Sequence, residues 1–479
     1  CPAHTEVEKN RPLVGKSGQL HDEATRRAGF TRYDQNLINV IECKVPDEFD
    51  DDLEAYLRWL KKNHPEAKSP IECCAPRLQY QLQDTKSLLI YGATALKAVA
   101  GVEGIKKHSG HPIKVEIGDR KVWAVPAIHP AAALREPWES IDLFAHVERA
   151  HRIAFTGTPN WNPGKVLLNA TTEQAINWWS ARGNLIGIDV ETDSLNFNKC
   201  NLRVLGATEF IDGGANDETC VYVERSVNGH LLKPPHELQQ FHNFLRELLP
   251  TKQITAHNRK AECSVLEQLD ICIPLANWHC TLELDHNVYP EQKHDLRTAA
   301  TRQFDVPKWK DDAKFFHTAT DQSLWEYNVI DDVLSARLFQ VLYKKAEALG
   351  VLHTYNIDRV LSEYCRQMTK IGIYVDRVAQ KRLGEKLFKE FHETLSKLRS
   401  VVGDSDFNPF SVPQVSKFLY KTRGYTPVVY TKSGAASTSK VALLQLMENG
   451  IDEQTSLVID LLFDTREVGK LLGTYVGYH

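Results

Sequence analysis

Leu185-Ile-Gly-Ile-Asp-Val-Glu-Thr-Asp193 decides how this chain is read. An apolar run passes into acid with the alternation of a buried strand, and a period of two places Asp189 and Glu191 on one face. Paired carboxylates at the end of an apolar strand call for a cation; the plainer alternative is a solvated strand end turned by Asp193 and Ser194. Segments further along favour the cation. Ile254-Thr-Ala-His-Asn-Arg-Lys-Ala-Glu262 predicts an apolar strand that gives way at His257-Asn258 to a helix carrying Glu262. The stretch Trp325–Leu342, WEYNVIDDVLSARLFQVL, predicts an amphipathic helix with Tyr327 and Asp331 stacked on one face. Acids from one strand and two helices suit a two-cation phosphodiesterase site. Oxygen ligands favour Mg²⁺ or Mn²⁺, and two such ions clamp the attacking and leaving oxygens.

Outward from this site, the 479 residues leave room for about two to four domains. With 42 % apolar, 25 % charged and 9 % aromatic residues the composition is that of a globular protein rather than a disordered one. No long apolar run or signal-peptide layout is present, so neither a membrane partner nor secretion is expected, and the chain is expected in the cytoplasm. The net charge of −4 announces no nucleic-acid partner by itself, and ten cysteines are too sparse for a disulfide scaffold. The first residue is Cys1, so an upstream segment is expected. There is no internal repeat. The composition divides the α/β chain into 1–157, closed by the turn-rich TGTPNWNPGK; 158–349, mixed strands and helices; and 350–479, dominated by helical periodicity.

IDVETDSL, AHNRKAE and YNVID, in this order over the second block, resemble the three motifs of DnaQ-like 3′–5′ proofreading exonucleases of the subclass with Tyr in the third motif. The resemblance implies an RNase H-like fold in which Asp189, Glu191 and Asp331 bind two Mg²⁺ or Mn²⁺ ions. Tyr327 orients the attacking water, and Asn258 meets DNA. The family's second motif ends in Asp, where this chain has Glu262, which is expected to serve the same site.

In the third block, Met368 to Asp376, FNPFSVPQ (Phe407–Gln414) and Ser437 to Leu446 resemble the start of the family A DNA polymerase domain, its helical thumb. Ser411 is placed to cap a helix beginning at Val412-Pro413. With Gln414, Lys417, Lys421 and Lys432 it is expected to contact DNA phosphates. The catalytic Asp residues of the palm and the fingers helix do not occur in these 479 residues, so the chain reads as a polymerase without its polymerising half, either truncated or continued in a further segment.

The first block strings RPLVGKSGQL, NLINVIECKVP, CCAPRLQYQL, SLLIYGATALKAVAG and VPAIHPAAALRE into strand–loop–helix units. The order resembles type 4 uracil-DNA glycosylases, matching at Pro2, Glu6, Arg11 to Gly18, Asn39, Cys43, Cys74, Gly92, Ala95 and His129 to Arg135. It implies a three-layer α/β domain, His129 as donor to a departing uracil anion, and Cys43 and Cys74 as two of four ligands of a [4Fe–4S] cluster. Ala3 replaces a family glycine, so binding of uracil-DNA without excision stands beside a working glycosylase.

Together these point to a replication enzyme of bacteriophage type. It would act on primer–template DNA and 3′ single-stranded ends, with replisome proteins as partners in the host cytoplasm. A stand-alone exonuclease–glycosylase repair protein and a catalytically silent DNA-binding scaffold are the alternatives.

Overall fold

The computed structural model describes residues 4–9, 11–49, 52–309, 320–431 and 434–477. The chain divides into two compact units, Cys1–Lys370 and Ile371–His479.

The first unit contains two sheets. β1 (Ser87–Tyr91), β2 (Ile113–Ile117) and β3 (Arg120–Ala127) form one in the order β1-β3-β2, with β1 parallel and β2 antiparallel to β3. Alternation along β3 explains the layers. Val122 and Ala124 pack with Leu78, Leu82 and Leu96 of the helices Pro70–Leu82 and Gly92–Ala100. Val125 and Ala127 face the other way, toward Leu143, Val147, Ala150 and Ile153 of the helix Ser140–Thr156. Helices thus cover both faces, as a three-layer α/β domain requires. The stretch Asn36–Pro46 buries Ile41 and Val45 but joins no ladder. Its apolar residues serve the core from a loop.

The second sheet has β4 (Lys165–Leu167), β5 (Leu185–Thr192), β6 (Leu202–Glu209), β7 (Glu218–Val223), β8 (Gln253–Ala256) and β9 (Trp278–Cys280), ordered β4-β7-β6-β5-β8-β9. β6 is antiparallel to β5 and β7; β5, β8 and β9 run parallel. One face of β5, Ile186 and Ile188, is buried against Trp178, Trp179 and Phe241. The other face takes the long helix Asp321–Leu349, which Thr320 caps through the Ser323 N–H and Gly350 ends at φ 72°. Glycine permits that approach: a Cβ on Gly187 would lie 2.8 Å from both Cβ and N of Ala336, and one on Gly206 would collide with Asp332 and Asn328.

The helix Leu352–Ile371 goes with the first unit, so the units part between Lys370 and Ile371 and not at 349/350. The reason is chemical. Fully buried Arg259 pairs with Glu363 at 3.3 Å, Arg366 with Glu267, and the Tyr355 hydroxyl accepts the Cys280 N–H. These bonds fasten the helix beneath the second sheet.

In the second unit the helices Arg377–Val402, Lys440–Glu448 and Glu453–Leu471 close on a core of Leu398, Phe407, Leu443, Leu446, Val458 and Leu462. Among the described residues no helix is long and apolar enough to cross a membrane.

Candidate metal centre and its neighbours

β5 carries Asp189 and Glu191 on the face toward the long helix, and that helix brings Tyr327 and Asp331 to the same place. One oxygen from each of Asp189, Glu191 and Asp331 can be chosen so that all three lie within 4.8 Å of one another. They open into a cleft of about 290 Å³ that Tyr327, Glu262 and the segment Thr192–Leu195 also line. Asp193 closes that segment by accepting both the backbone and side-chain N–H groups of Asn201, at 2.8 and 2.7 Å. Leu195 is left exposed at the rim.

The electrostatics are those of a site built around positive charge. Burial, then the Asp331, Glu191 and Asp189 carboxylates, push the Tyr327 phenol far up, so it keeps its proton. Glu262 is raised first by burial and then by Asp189 and Asp331; its Oε2 has no hydrogen-bond partner among the described residues. An acid-rich, oxygen-only donor set with an unsatisfied carboxyl oxygen fits Mg²⁺ or Mn²⁺.

Three neighbours have no counterpart in the sequence reading. Asn328 Nδ2 donates to Asp189 Oδ2 at 3.0 Å, one helical turn before Asp332. Asp332 is wholly buried, and burial together with Asp189, Asp331 and Glu191 raises its carboxyl well above the usual range. Trp309 Nε1–H donates to Asp331 Oδ1 at 2.6 Å. The acid pair in YNVIDD and the amide before it were visible signals; Trp309 carried none.

Asn258 stands at the start of the second-motif helix with φ 66°, exposed, its carbonyl accepting the Ala261 N–H. Its left-handed backbone makes the sharp turn out of β8, a conformation that asparagine tolerates.

In the first domain His129 caps the helix Pro130–Arg135: its Nδ1 accepts the Ala131 N–H at 3.1 Å, and Tyr91 meets its ring edge-on. Burial lowers its pKa. The neutral ring therefore carries its proton on Nε2. Cys43 is exposed on a loop and Cys74 half-buried on a helix, and among the described residues no third metal-ligating side chain joins them. The described residues alone do not fit a [4Fe–4S] cluster, which needs four thiolates. Pro2 and Ala3 lie outside the described residues.

In the second unit Ser411 accepts the Gln414 N–H, capping the short helix Val412–Ser416, while Gln414 Oε1 accepts the Asn408 N–H at 2.7 Å. Lys417 and Lys421 follow, exposed, in the wider turns of Lys417–Thr422. Lys432 lies outside the described residues.

Residues 1–150 match the family model of the uracil DNA glycosylase superfamily. The type-4 uracil-DNA glycosylase of Pyrobaculum aerophilum is 28 % identical over 144 residues, covering 29 % of this chain and 66 % of that protein. The DNA polymerase DpoZ of Acinetobacter phage SH-Ab 15497 is 22 % identical over 323 residues, 61 % of this chain and 48 % of the polymerase. Among solved structures, the POL domain of Pol1 from M. smegmatis aligns with 66 % of this chain and 49 % of that chain, at TM-score 0.46 and 16 % identity. The chain thus spans about half the length of the phage polymerase and under two thirds of the glycosylase.

Proposed function

We propose that this chain, with its glycosylase-like N-terminal domain, belongs to a DNA-replication enzyme related to family A polymerases and hydrolyses DNA from the 3′ end as its proofreading activity. The observation that carries this is the convergence of Asp189, Glu191 and Asp331 within 4.8 Å. The 323-residue match to a phage polymerase supports it, because it is too long for the glycosylase-like domain alone.

Asp189, Glu191 and Asp331 would hold two divalent cations; when bound, these supply Lewis-acid activation of water and neutralise charge on the phosphate. The rest falls to the chain's own groups. The Tyr327 phenol, kept protonated by burial and then by the carboxylates around it, is placed to hold and orient the attacking water. Asn328 fixes the Asp189 carboxylate. Glu262 adds a further carboxyl at the wall of the cleft. Asn258, Ser411, Gln414, Lys417 and Lys421 are proposed DNA contacts, and replisome proteins the proposed partners of a phage enzyme.

Asp189→Ala should lower digestion of a 3′-labelled single strand in Mg²⁺ or Mn²⁺ by orders of magnitude while the protein stays folded, since it removes a ligand and a single hydrogen bond from Asn328. Undiminished digestion overturns the assignment.

A second activity is favoured by the His129 tautomer. With Nδ1 accepting a backbone N–H, neutral His129 presents an Nε2–H, the donor a departing uracil anion needs. We propose that the first domain binds uracil-containing DNA. His129→Ala should then lose any preference for uracil- over thymine-containing oligonucleotides; equal preference in both proteins rules His129 out.

A further inference from the structure

The glycosylase-like domain reaches the metal centre of the second domain through one indole. Helix Leu296–Gln303 ends at Phe304, and the chain runs without helix or strand through Val306 to Trp309. Glycosylase-domain residues clamp this short segment. Arg149 donates to Asp305 Oδ1 at 2.8 Å, Arg152 pairs with the same carboxylate, and His111 donates from Nδ1 to the Val306 carbonyl at 3.0 Å. Val306 itself is fully buried against Leu296, Leu334 and Leu338. His111, also fully buried, then packs its ring against the Trp309 indole at 79° with centroids 5.6 Å apart. The same indole donates its Nε1–H to Asp331 Oδ1, at 2.6 Å.

We infer that Trp309 is a positioning residue for the metal centre and that His111 of the glycosylase-like domain holds it in place, so that the exonuclease depends on the domain before it. The inference rests on the proposed metal site. A carboxylate on a helix can rotate about χ1 and χ2, and a charge-assisted hydrogen bond from a neighbour whose own rotamer is packed removes that freedom. The indole is a donor to that carboxylate; its ring packs on the second domain's core as well as on His111, and the segment before it is clamped by Arg149, Arg152 and His111 of the first domain. Tyr327 of the third motif also bonds the Asp331 carboxylate, but the indole bond comes from outside the motifs, so their spacing does not contain it.

The test uses the whole chain and Mn²⁺ as the probe. Binding of Mn²⁺ is followed by loss of the free-ion electron paramagnetic resonance signal, alongside the Mn²⁺ concentration for half-maximal digestion of a single strand. Trp309→Phe keeps the ring and removes the donor, and should weaken Mn²⁺ binding about 10–100-fold, with the half-maximal concentration rising in parallel and thermal stability nearly unchanged. His111→Phe, which keeps an aromatic ring but loses the bond to the Val306 carbonyl, should shift both in the same direction by a smaller factor. Wild-type affinity in Trp309→Phe overturns the positioning role. Weakened binding in Trp309→Phe with none in His111→Phe or His111→Ala overturns the dependence on the first domain. If Asp189→Ala binds Mn²⁺ poorly yet digestion persists, the exonuclease reading fails while the metal-binding comparison still decides the role of Trp309.

Discussion

Gly206 illustrates how a residue without a side chain can govern a site made of charged ones. It pairs with Asp189 across the β5–β6 ladder, and a Cβ there would strike the Asp332 carboxyl and the Asn328 amide oxygen. Asn328 is the residue that orients Asp189. Gly206→Ala should therefore destabilise the fold by about 1–3 kcal/mol, the usual cost of overpacking a tight interior. It should also reduce exonuclease activity beyond any loss of folded protein, measured by denaturant unfolding beside single-strand digestion. A variant with native stability and native activity would mean that the helix can draw back without cost. Asp332 belongs to the same scale. Burial and then the Asp189, Asp331 and Glu191 carboxylates push its carboxyl well up, toward the uncharged form.

Among elements, the helix Asp321–Leu349 does the most. It buries residues nearly all round its middle, Val329 and Val333 toward β6 and β7, Leu334 and Leu338 toward the helices Thr281–Val288 and Leu296–Gln303. Tyr327 and Asp331 are thus carried on a rigid, packed support, as a site that must hold carboxylates close together requires. The segment Ser411–Thr422 is different in kind: two lysines stand exposed over a turn whose polar groups satisfy one another. Its proposed contacts are to phosphate. Replacing Lys417 and Lys421 together by Ala should weaken duplex binding about equally for all sequences and reduce the slope of log K against log salt by about 1–2. Loss confined to particular sequences would exclude a phosphate-gripping role.

At the scale of the first unit, the two sheet domains meet through buried charge and buried histidine. Arg302 bridges Asp142 of one and Asp285 of the other, at 2.7 and 2.8 Å, while Arg149 reaches Asp305. His111 and His146 lie buried beside these arginines. Burial, helped by Arg149, lowers His111 to about 4 and moves His146 down as well. A histidine whose folded pKa lies below its unfolded value contributes fully above the unfolded pKa, and that contribution is lost as the pH falls toward the folded one. For His111 the window is pH 6.5 to about 4, and the loss by its lower end is on the order of 3 kcal/mol. The melting temperature should be flat from pH 8 to 7 and fall below 6.5, with a shallower fall between 6.5 and 5 in His111→Phe. Identical slopes in the two proteins would show that His111 does not set the acid limit.

The residues proposed as metal ligands were legible because their signals are local. Alternation along Leu185–Asp193 puts Asp189 and Glu191 on one face whatever surrounds them, and a spacing of four puts Tyr327 and Asp331 on one side of any helix. The glycosylase-like pattern was legible for the same reason, as turns and strands in a given order. What these patterns do not contain is which faces meet. The closeness of the long helix to β5 and β6 depends on Gly187 and Gly206 lying opposite Ala336 and Asp332, residues more than a hundred positions away. The attachment of Leu352–Ile371 to the first unit depends on a buried arginine whose partners come from another element. Trp309 is an unremarkable aromatic in the string until folding sets it between His111 and Asp331. Periodicity along the chain determined the faces and their chemistry; only the packing of distant segments decided which faces share a site, because hydrogen bonds and close contacts form between positions that no local repeat relates.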